Sequence, residues 1–448
     1  MKFFPKFIKQ RVSHRPNLIK IIDNIGWLFF ERVLRIVLGL SISTAMARYF
    51  GPEKFGALNY AIATIGLYGA FSSLGFYNLI VRKIIHEPLL KEETIGTAAF
   101  LLFLSGCFIY MVILLNLFIF RMGSPLTEYL IAILGSAILF KVSDVVIYWF
   151  ESQVQSVYVV LVNNTILISF AIIKFFLIYL KAPIEDFAWV MLGEGIVTSI
   201  ALISVFGLYG INLRRLRIKH SLARSLLKDS WPLVISGMMM MIYMRIDQVM
   251  LGQIAGEKSL GIYSAAVKLS EAWYCIPIII ASSFSPSILQ AKKNNENLYY
   301  GKLQQLFNLM SLLSIILALL LTFLSKPIII FLFGQDYADA APVLSIHIWT
   351  SIFVFLGVAS TQWFIAEGKF HLILERSMIG VFFIIILNLI LIPDFGALGA
   401  AISILISQFI VSLMYDLIKP ETRKLFYMKI SSLNLIRSAA SLLKAIKE

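Results

Sequence analysis

The chain has 448 residues, of which 59% are hydrophobic and only 14% charged, and its mean hydropathy is +0.86. Soluble domains average about 45–50% apolar and about 25% charged, so an ordinary soluble fold is excluded and the surplus apolar surface must face lipid. The net charge of +14 would suggest a nucleic-acid partner in a soluble chain, but the placement of the basic residues gives a different answer.

The chain opens on MKFFPKFIKQRVSHRPNLIK, which is basic but is not followed by a short apolar run with a small-residue cleavage site; no cleavable signal peptide is expected. Apolar runs then recur along the whole chain. A membrane-spanning helix needs roughly 20 apolar residues to cross about 30 Å of hydrocarbon. Runs of that length predict helices at about 22–48, 57–81, 95–120, 128–150, 156–180, 187–210, 231–255, 260–289, 303–325, 341–366, 371–392 and 396–418. They are too long and too evenly apolar for the alternating ten-residue strands of a barrel. The fold class expected is therefore an all-α polytopic membrane protein of about twelve transmembrane helices.

The basic loop INLRRLRIKHSLARSLLKDS (211–230) divides the chain. The expected organisation is an N-lobe over 1–210, this linker at 211–230, a C-lobe over 231–418 and a basic tail over 419–448. Apolar residues spaced among the tail lysines (Leu433, Ile436, Leu442, Leu443, Ile446) suggest an interfacial amphipathic helix. GPEKFGALNYAIA (51–63) after the first helix and AGEKSLGIYSAAV (255–267) after the seventh read alike when one gap is allowed, as in a transporter built from parallel repeats. With the N-terminus taken as cytoplasmic, 27 of the 39 basic residues fall in the termini and even-numbered loops, and 6 on the opposite side. The positive-inside rule then places both termini in the cytoplasm. The net charge becomes topology plus attraction to anionic phospholipid, and no nucleic acid is expected as a partner.

The remaining six basic residues, Arg32, Arg35, Lys141, Lys174, Arg245 and Lys268, lie inside spans, together with Glu31, Asp144, Glu194, Asp247 and Glu271. Each costs about 2.5–3.5 kcal/mol at the bilayer centre unless it faces protein or water. Glu31 and Arg35, Lys141 and Asp144, and Lys268 and Glu271 are spaced three or four apart, so each pair can neutralise itself on one helix face. Such pairs are read equally as structural braces and as ion-coupling groups. Arg245 and Asp247 point apart, and Arg32 and Lys174 have no partner at helical spacing. Unpaired cations in a wet path suit an anionic ligand, and the planar fork of Arg suits phosphate. Arg32, Arg35, Lys174, Arg245 and Lys268 are therefore the candidate substrate path; Glu31, Lys141, Asp144, Glu194, Asp247 and Glu271 are candidates for ion coupling or charge pairing.

The other features are read more plainly. Trp149, Trp273, Tyr274 and Trp363 fit interfacial belts or lipid contact better than sugar stacking. Met238–Met241 fits flexible helix packing, and His347 fits a buried imidazole with a hydrogen-bond partner. Pro232, Pro277, Pro286 and Pro342 can kink or open helices. Cys107 and Cys275 lie in apolar runs and form neither a disulfide framework nor a metal site. No nucleotide-binding loop, metal cluster or nucleophile elbow is found, so neither an enzyme nor a cofactor is expected.

Three segments carry a family resemblance: ARYFGPEKFGALNYAIATIGLYGAFSSLGFYNLIVRKI (47–84), YMRIDQVMLGQIAGEKSLGIYSAAVKLSEAWYCIPIII (243–280), and FGQDYADAAPVLSIHIWTSIFVFLGVASTQWFIAEGK (333–369) with LNLILIPDFGALGAA (387–401). The chain resembles the polysaccharide transport family, the Wzx-type O-antigen flippases of the multidrug/oligosaccharidyl-lipid/polysaccharide exporter superfamily. The resemblance implies two six-helix lobes around a central cavity in a bacterial inner membrane, working by alternating access. It implies a substrate of undecaprenyl pyrophosphate carrying an oligosaccharide, a coupling ion (proton or sodium), and the polysaccharide polymerase and chain-length regulator as partners. Its motif positions here are Arg48, Gly51, Glu53, Gly56 and Tyr60, then Arg245, Asp247, Gly252, Gly261, Tyr263, Lys268 and Glu271, with the glycines as turn and packing residues. The rival readings are a drug or organic-cation antiporter of the same superfamily, the lipid II flippase branch with its two further helices, and a membrane-bound glycosyl or acyl transferase. A non-transporting scaffold fits worst, given so many costly intramembrane charges.

Overall fold

The computed structural model describes residues 16–120, 123–209, 215–436 and 438, with side chains described from residue 26 on except that of Phe120. Among these residues every regular element is helical. The major helices are α1 (Pro16–Ser72), α2 (Phe76–His86), α3 (Lys91–Phe120), α4 (Pro125–Gly135), α5 (Asp144–Ser152), α6 (Val157–Tyr179), α7 (Ile184–Tyr209), α8 (His220–Glu271), α9 (Cys275–Asn294), α10 (Glu296–Phe323), α11 (Ser325–Phe333), α12 (Ala340–His347), α13 (Thr350–Glu367), α14 (Phe370–Phe409), α15 (Tyr415–Ile418) and α16 (Arg423–Ser432).

Eight helical runs among the described residues are long and apolar enough to cross a membrane. Two of them, His220–Asn294 at 75 residues and Phe370–Ile418 at 49 residues, far exceed one crossing. Each is interrupted by a glycine outside helical geometry, Gly256 (φ 83, ψ 172) or Gly396 (φ 53, ψ −127), and so makes two crossings. The 57-residue α1 is broken in the same way at Gly51 (φ 74, ψ 174) and supplies two more. The fold is therefore an all-α membrane architecture of about twelve crossings.

Local chemistry sets the ends. Ser124 starts α4 by accepting from the Thr127 amide at 3.3 Å, with Pro125 in the first turn where its missing N–H costs nothing. The Asn295 Oδ1 accepts from the amides of Asn297 (2.7 Å) and Leu298 (3.3 Å) to start α10. Gly368, left-handed at φ 69, ends α13. Cys107 and Cys275 are both free and half-buried.

The contacts divide the chain into two units: residues 1–49 with 64–238, and residues 50–63 with 239–448. The first unit is built around Phe76 and Ile80 of α2, Ile95 and Leu102 of α3, Phe150 of α5 and Phe206 of α7. Trp149 belongs to this buried cluster and Trp363 to its counterpart in the second unit, so both are packing residues. That second cluster joins Leu306 and Phe307 of α10, Phe355 and Leu356 of α13, and Leu425 and Met428 of α16. In the tail, α16 thus contributes to the core of its unit, while Ile436 is exposed; Leu442, Leu443 and Ile446 lie outside the described residues.

The docking of α16 is fixed by polar groups as well. Lys429, fully buried, donates from Nζ to Asp416 Oδ2 at 2.6 Å and to the Ser412 carbonyl at 2.7 Å. Burial lowers the pKa of this ammonium, and Asp416 pulls it back up. Gln304 Nε2 donates to the Met428 carbonyl at 3.1 Å, and the Ser311 and Ser432 hydroxyls meet at 2.7 Å.

Residues 50–63 join the second unit through glycines. A Cβ on Gly56 would overlap the Glu257 carbonyl oxygen, and one on Gly261 would overlap that of Pro52. The hexapeptides GPEKFG (51–56) and GEKSLG (256–261) therefore nest reciprocally. Each opens on a glycine in the φ-positive extended region and closes on a glycine lying against the other's backbone. The glycines align without the gap that the residue echo required. A Cβ on Gly252 would meet the ring of Tyr60, whose hydroxyl accepts from Gln253 Nε2 at 3.0 Å.

Two predictions follow from this packing. Lys429→Ala strands a buried carboxylate and should destabilise the protein by about 3–5 kcal/mol, whereas the double replacement Lys429→Met with Asp416→Leu should recover most of the loss; thermal unfolding in detergent compares them, and equal losses would contradict the account. Gly51→Ala and Gly256→Ala should each cost about 1–3 kcal/mol because that backbone region is open only to glycine. Gly39→Ala, on a helix with open space around its Cβ, should be neutral or stabilising in the same assay.

Candidate functional site

In the first unit, α1 places Glu31, Arg32 and Arg35 within one turn or so of one another. Arg35 Nη2 lies 2.7 Å from Glu31 Oε1, and Asn163 Nδ2 of α6 donates to the same oxygen at 3.2 Å. Glu31 is largely covered, while the Arg35 side chain is 57% exposed, so the carboxylate anchors a guanidinium that is otherwise mostly open. Arg32, one residue on from the anchored Glu31, is also exposed. Lys174 on α6, without a partner on its own helix, is paired with Glu194 of α7 at 2.6 Å and is buried.

Lys141 sits in the 3-10 segment Ser136–Ser143 that links α4 to α5 and donates to the Gly69 carbonyl at 3.3 Å. Asp144 opens α5, near enough to Lys141 for their charges to attract, though no hydrogen bond joins them. One further acid was not picked out by the sequence. Glu151, at the end of α5, accepts from the Tyr77 hydroxyl and feels the charge of Glu31. The Tyr77 ring packs edge-on against Tyr148 at 5.7 Å. Read as the residue just past a span, Glu151 gave no intramembrane signal; its link to Glu31 is a tertiary one.

In the second unit, Gly256 sets the geometry. The chain reverses there, so residues on the two arms of α8 meet in antiparallel register. The Tyr263 hydroxyl donates to Asp247 Oδ2, and the Gln248 amide donates to Asp247 Oδ1 at 2.8 Å. Asp247 is buried and Tyr263 wholly so. Further from the turn, Arg245 Nη1 stands 4.0 Å from Glu271 Oε2, both side chains about one-third exposed. Lys268 feels both Arg245 and Glu271, and its Nζ lies 4.7 Å from the centre of the Phe55 ring. The helix spacing of Lys268 and Glu271 allowed them to satisfy each other; instead Glu271 is shared with Arg245. Below them, His347 Nδ1 meets Ser270 Oγ at 2.9 Å, its ring edge-on to Tyr263, and Tyr274 Oη meets Thr350 Oγ1 at 2.9 Å.

Arg376, counted from sequence among the loop cations, is buried in α14, which starts at Phe370 and puts it well over a turn inside. Its Nε donates to the Val411 carbonyl at 3.2 Å and its guanidinium lies over Phe364. The family-motif residues divide by position. Gly51, Gly56, Tyr60, Gly252 and Gly261 form the nested turns, and Tyr263 holds Asp247. Arg48 and Glu53 are exposed on either side of the Gly51 break. Among the described residues no group of histidines, cysteines and carboxylates is arranged to hold a metal ion.

Two family models match the chain: the polysaccharide biosynthesis protein family over residues 21–288 and the MatE family over 232–393. The capsular polysaccharide biosynthesis protein CapF of Staphylococcus aureus is 24% identical over 402 residues, covering 88% of this chain and 98% of CapF. The probable flippase AglR of Haloferax volcanii is 26% identical over 252 residues, covering 54% of this chain and 51% of AglR. Among solved structures, the lipid II flippase MurJ in an inward closed conformation superposes with a TM-score of 0.68 at 18% identity, covering 95% of this chain and 96% of MurJ. With its matched span covering more than half of its length, the chain belongs to the polysaccharide biosynthesis protein family.

Proposed function

We propose that the chain moves an undecaprenyl-pyrophosphate-linked oligosaccharide, the repeat unit of O-antigen or another surface polysaccharide, from the cytoplasmic to the outer leaflet of a bacterial inner membrane, by alternating access and coupled to a proton or sodium gradient. The observation that carries this reading is the cluster on the arms of α8. Arg245 stands 4.0 Å from the Glu271 carboxylate, too long for a tight hydrogen bond, with both side chains about one-third open to solvent, and Lys268 is near enough to feel both charges. A diphosphate can bind at this cluster. Its oxygens can accept both donors of the Arg245 fork while its second charge faces Lys268. Arg32 and Arg35 supply the matching exposed cations in the first unit.

Roles follow from how each charge is held. Arg32, Arg35, Arg245 and Lys268 line the substrate path; Lys174 joins them when its pair with Glu194 opens. Asp247, held by the Tyr263 hydroxyl and buried, and Glu271, exchangeable between Arg245 and the ligand, carry the coupling ion, with Asp144 and Glu194 as the corresponding acids of the first unit. The polymerase and chain-length regulator act on the product at the outer leaflet. The MatE match over 232–393 supports a second reading, an organic-cation antiporter, in which Glu31, Asp144 and Glu151 would meet the substrate.

One experiment separates the two readings. In a deletion strain, surface polysaccharide should vanish and lipid-linked repeat units should accumulate inside, with wild type restoring export. Arg245→Ala removes charge-assisted hydrogen bonds to phosphate worth about 1.5–3 kcal/mol, a roughly 10- to 100-fold loss of export rate. Arg245→Lys, which keeps the charge but not the fork, should recover part of it. Unchanged surface glycan together with new sensitivity to cationic drugs would overturn the proposal in favour of the antiporter.

A further inference from the structure

Helix α14 reverses at Gly396, and the returning arm continues through a π turn, Ile410–Met414, into α15. The two arms lie side by side with Gly396 as the pivot. Met378 and Met414 are each eighteen residues from it, and Phe382 and Ile410 each fourteen. The inner edge of this pair closes on small residues: Ser407 Oγ donates to the Gly380 carbonyl at 3.1 Å, and a Cβ on Gly380 would press on Tyr243 and Val411. The outer edge does not close. There Met378, Phe382, Phe383, Ile410, Met414 and Ile418 line a carbon-walled groove of about 700 Å³. Met378, Phe382 and Ile418 are each more than half exposed. The π turn contributes by widening the returning arm where the groove lies.

One end of the groove is polar. Lys419 lies at its rim, 2.6 Å from Glu375, whose other contact is the Tyr415 hydroxyl at 3.0 Å. Beside it, Lys369 pairs with Glu421 at 2.6 Å and holds that exposed carboxyl below its usual pKa range. Arg423 follows, exposed, with its Nε on the Leu417 carbonyl and no carboxylate among its contacts. A hydrocarbon slot on the lipid-exposed face whose rim carries two lysine–glutamate pairs and, beyond them, Arg423 has one net positive charge at that end and matches an amphiphile with one chain and an anionic head. A phospholipid carries two chains side by side; a polyprenyl phosphate carries one.

We propose that the α14–α15 groove seats the polyisoprenoid tail of the lipid-linked substrate, with the phosphate-bearing head meeting the Lys419–Arg423 rim first, before it passes to the Arg245 cluster. This rests on the flippase reading and adds to it a docking place for the tail, separate from the Arg245 cluster that takes the charged group. The bulky aromatic and thioether walls suit a branched chain, because Met and Phe side chains can repack around methyl groups.

The test uses the full chain in nanodiscs with a diazirine-tailed polyprenyl diphosphate. Labelling should map to residues 378–383 and 410–418. Undecaprenyl phosphate should compete, an equal amount of phosphatidylglycerol should not, and Ile410→Trp, which fills the slot, should cut labelling there at least tenfold. Equal competition by phosphatidylglycerol would make the groove a general lipid contact and overturn the proposal. Labelling confined to other helices in a protein that still exports glycan would overturn the groove while leaving the flippase standing. No labelling anywhere, in a protein that also fails to export, would overturn both.

Discussion

The register of the second unit depends on one backbone conformation, the φ-positive extended turn at Gly256. A helix of α8's length, 52 residues, is too long for one crossing; at about 1.5 Å per residue it would be more than twice as long as the hydrocarbon is thick. Reversing it inside one continuous run requires a residue that tolerates a region closed to side chains. Once the reversal is placed there, the returning arm lies back along the first, and Asp247 meets Tyr263 near the turn while Arg245 faces Glu271 further out. The same turn brings the Gly261 backbone against Pro52, so that residues 50–63 are held in this unit by the device that creates the charge cluster.

Charge burial then sorts the side chains by how completely they are satisfied. Lys429 and Asp416 are wholly buried at 2.6 Å, and the ammonium also reaches a carbonyl. Such a pair is strongly destabilised by losing one partner and holds its helix in place. Lys174 and Glu194 are as close but partly open. Arg245 and Glu271 stand further apart, at 4.0 Å, and are each about one-third exposed. Under the proposed function a site that must release its ligand as well as bind it is better served by the looser Arg245 pair than by the tightly held Lys429 pair.

Much of this was legible in the sequence, because it rests on composition and period. The apolar runs marked the crossings, since length alone separates a membrane helix from a core helix. The glycines of 51–56 and 256–261 were visible as an echo, although the residue match pointed to a gap and the backbone pairs them without one. What the sequence concealed were partners brought together by tertiary reversal. Lys174 had nothing at helical spacing because its carboxylate is on the next helix. Lys268 had a carboxylate three residues on that turned out to be shared with Arg245. Arg376 was hidden by a boundary error of a few residues, enough to turn a buried guanidinium into a loop cation. Glu151 was hidden for the same reason, since a carboxylate just beyond a predicted span carries no apparent desolvation cost.

The two units solve the same electrostatic problem in different ways. In the first, Glu31 is shared between Arg35 and the Asn163 amide, and the guanidinium is left largely in the open. In the second, Arg245 faces Glu271 at 4.0 Å, and the aromatic ring of Phe55 lies 4.7 Å from the Lys268 ammonium and takes up part of its charge. A ring face attracts an ammonium but cannot accept a proton or donate one, so it lowers the cost of holding Lys268 charged without competing for it as a carboxylate would.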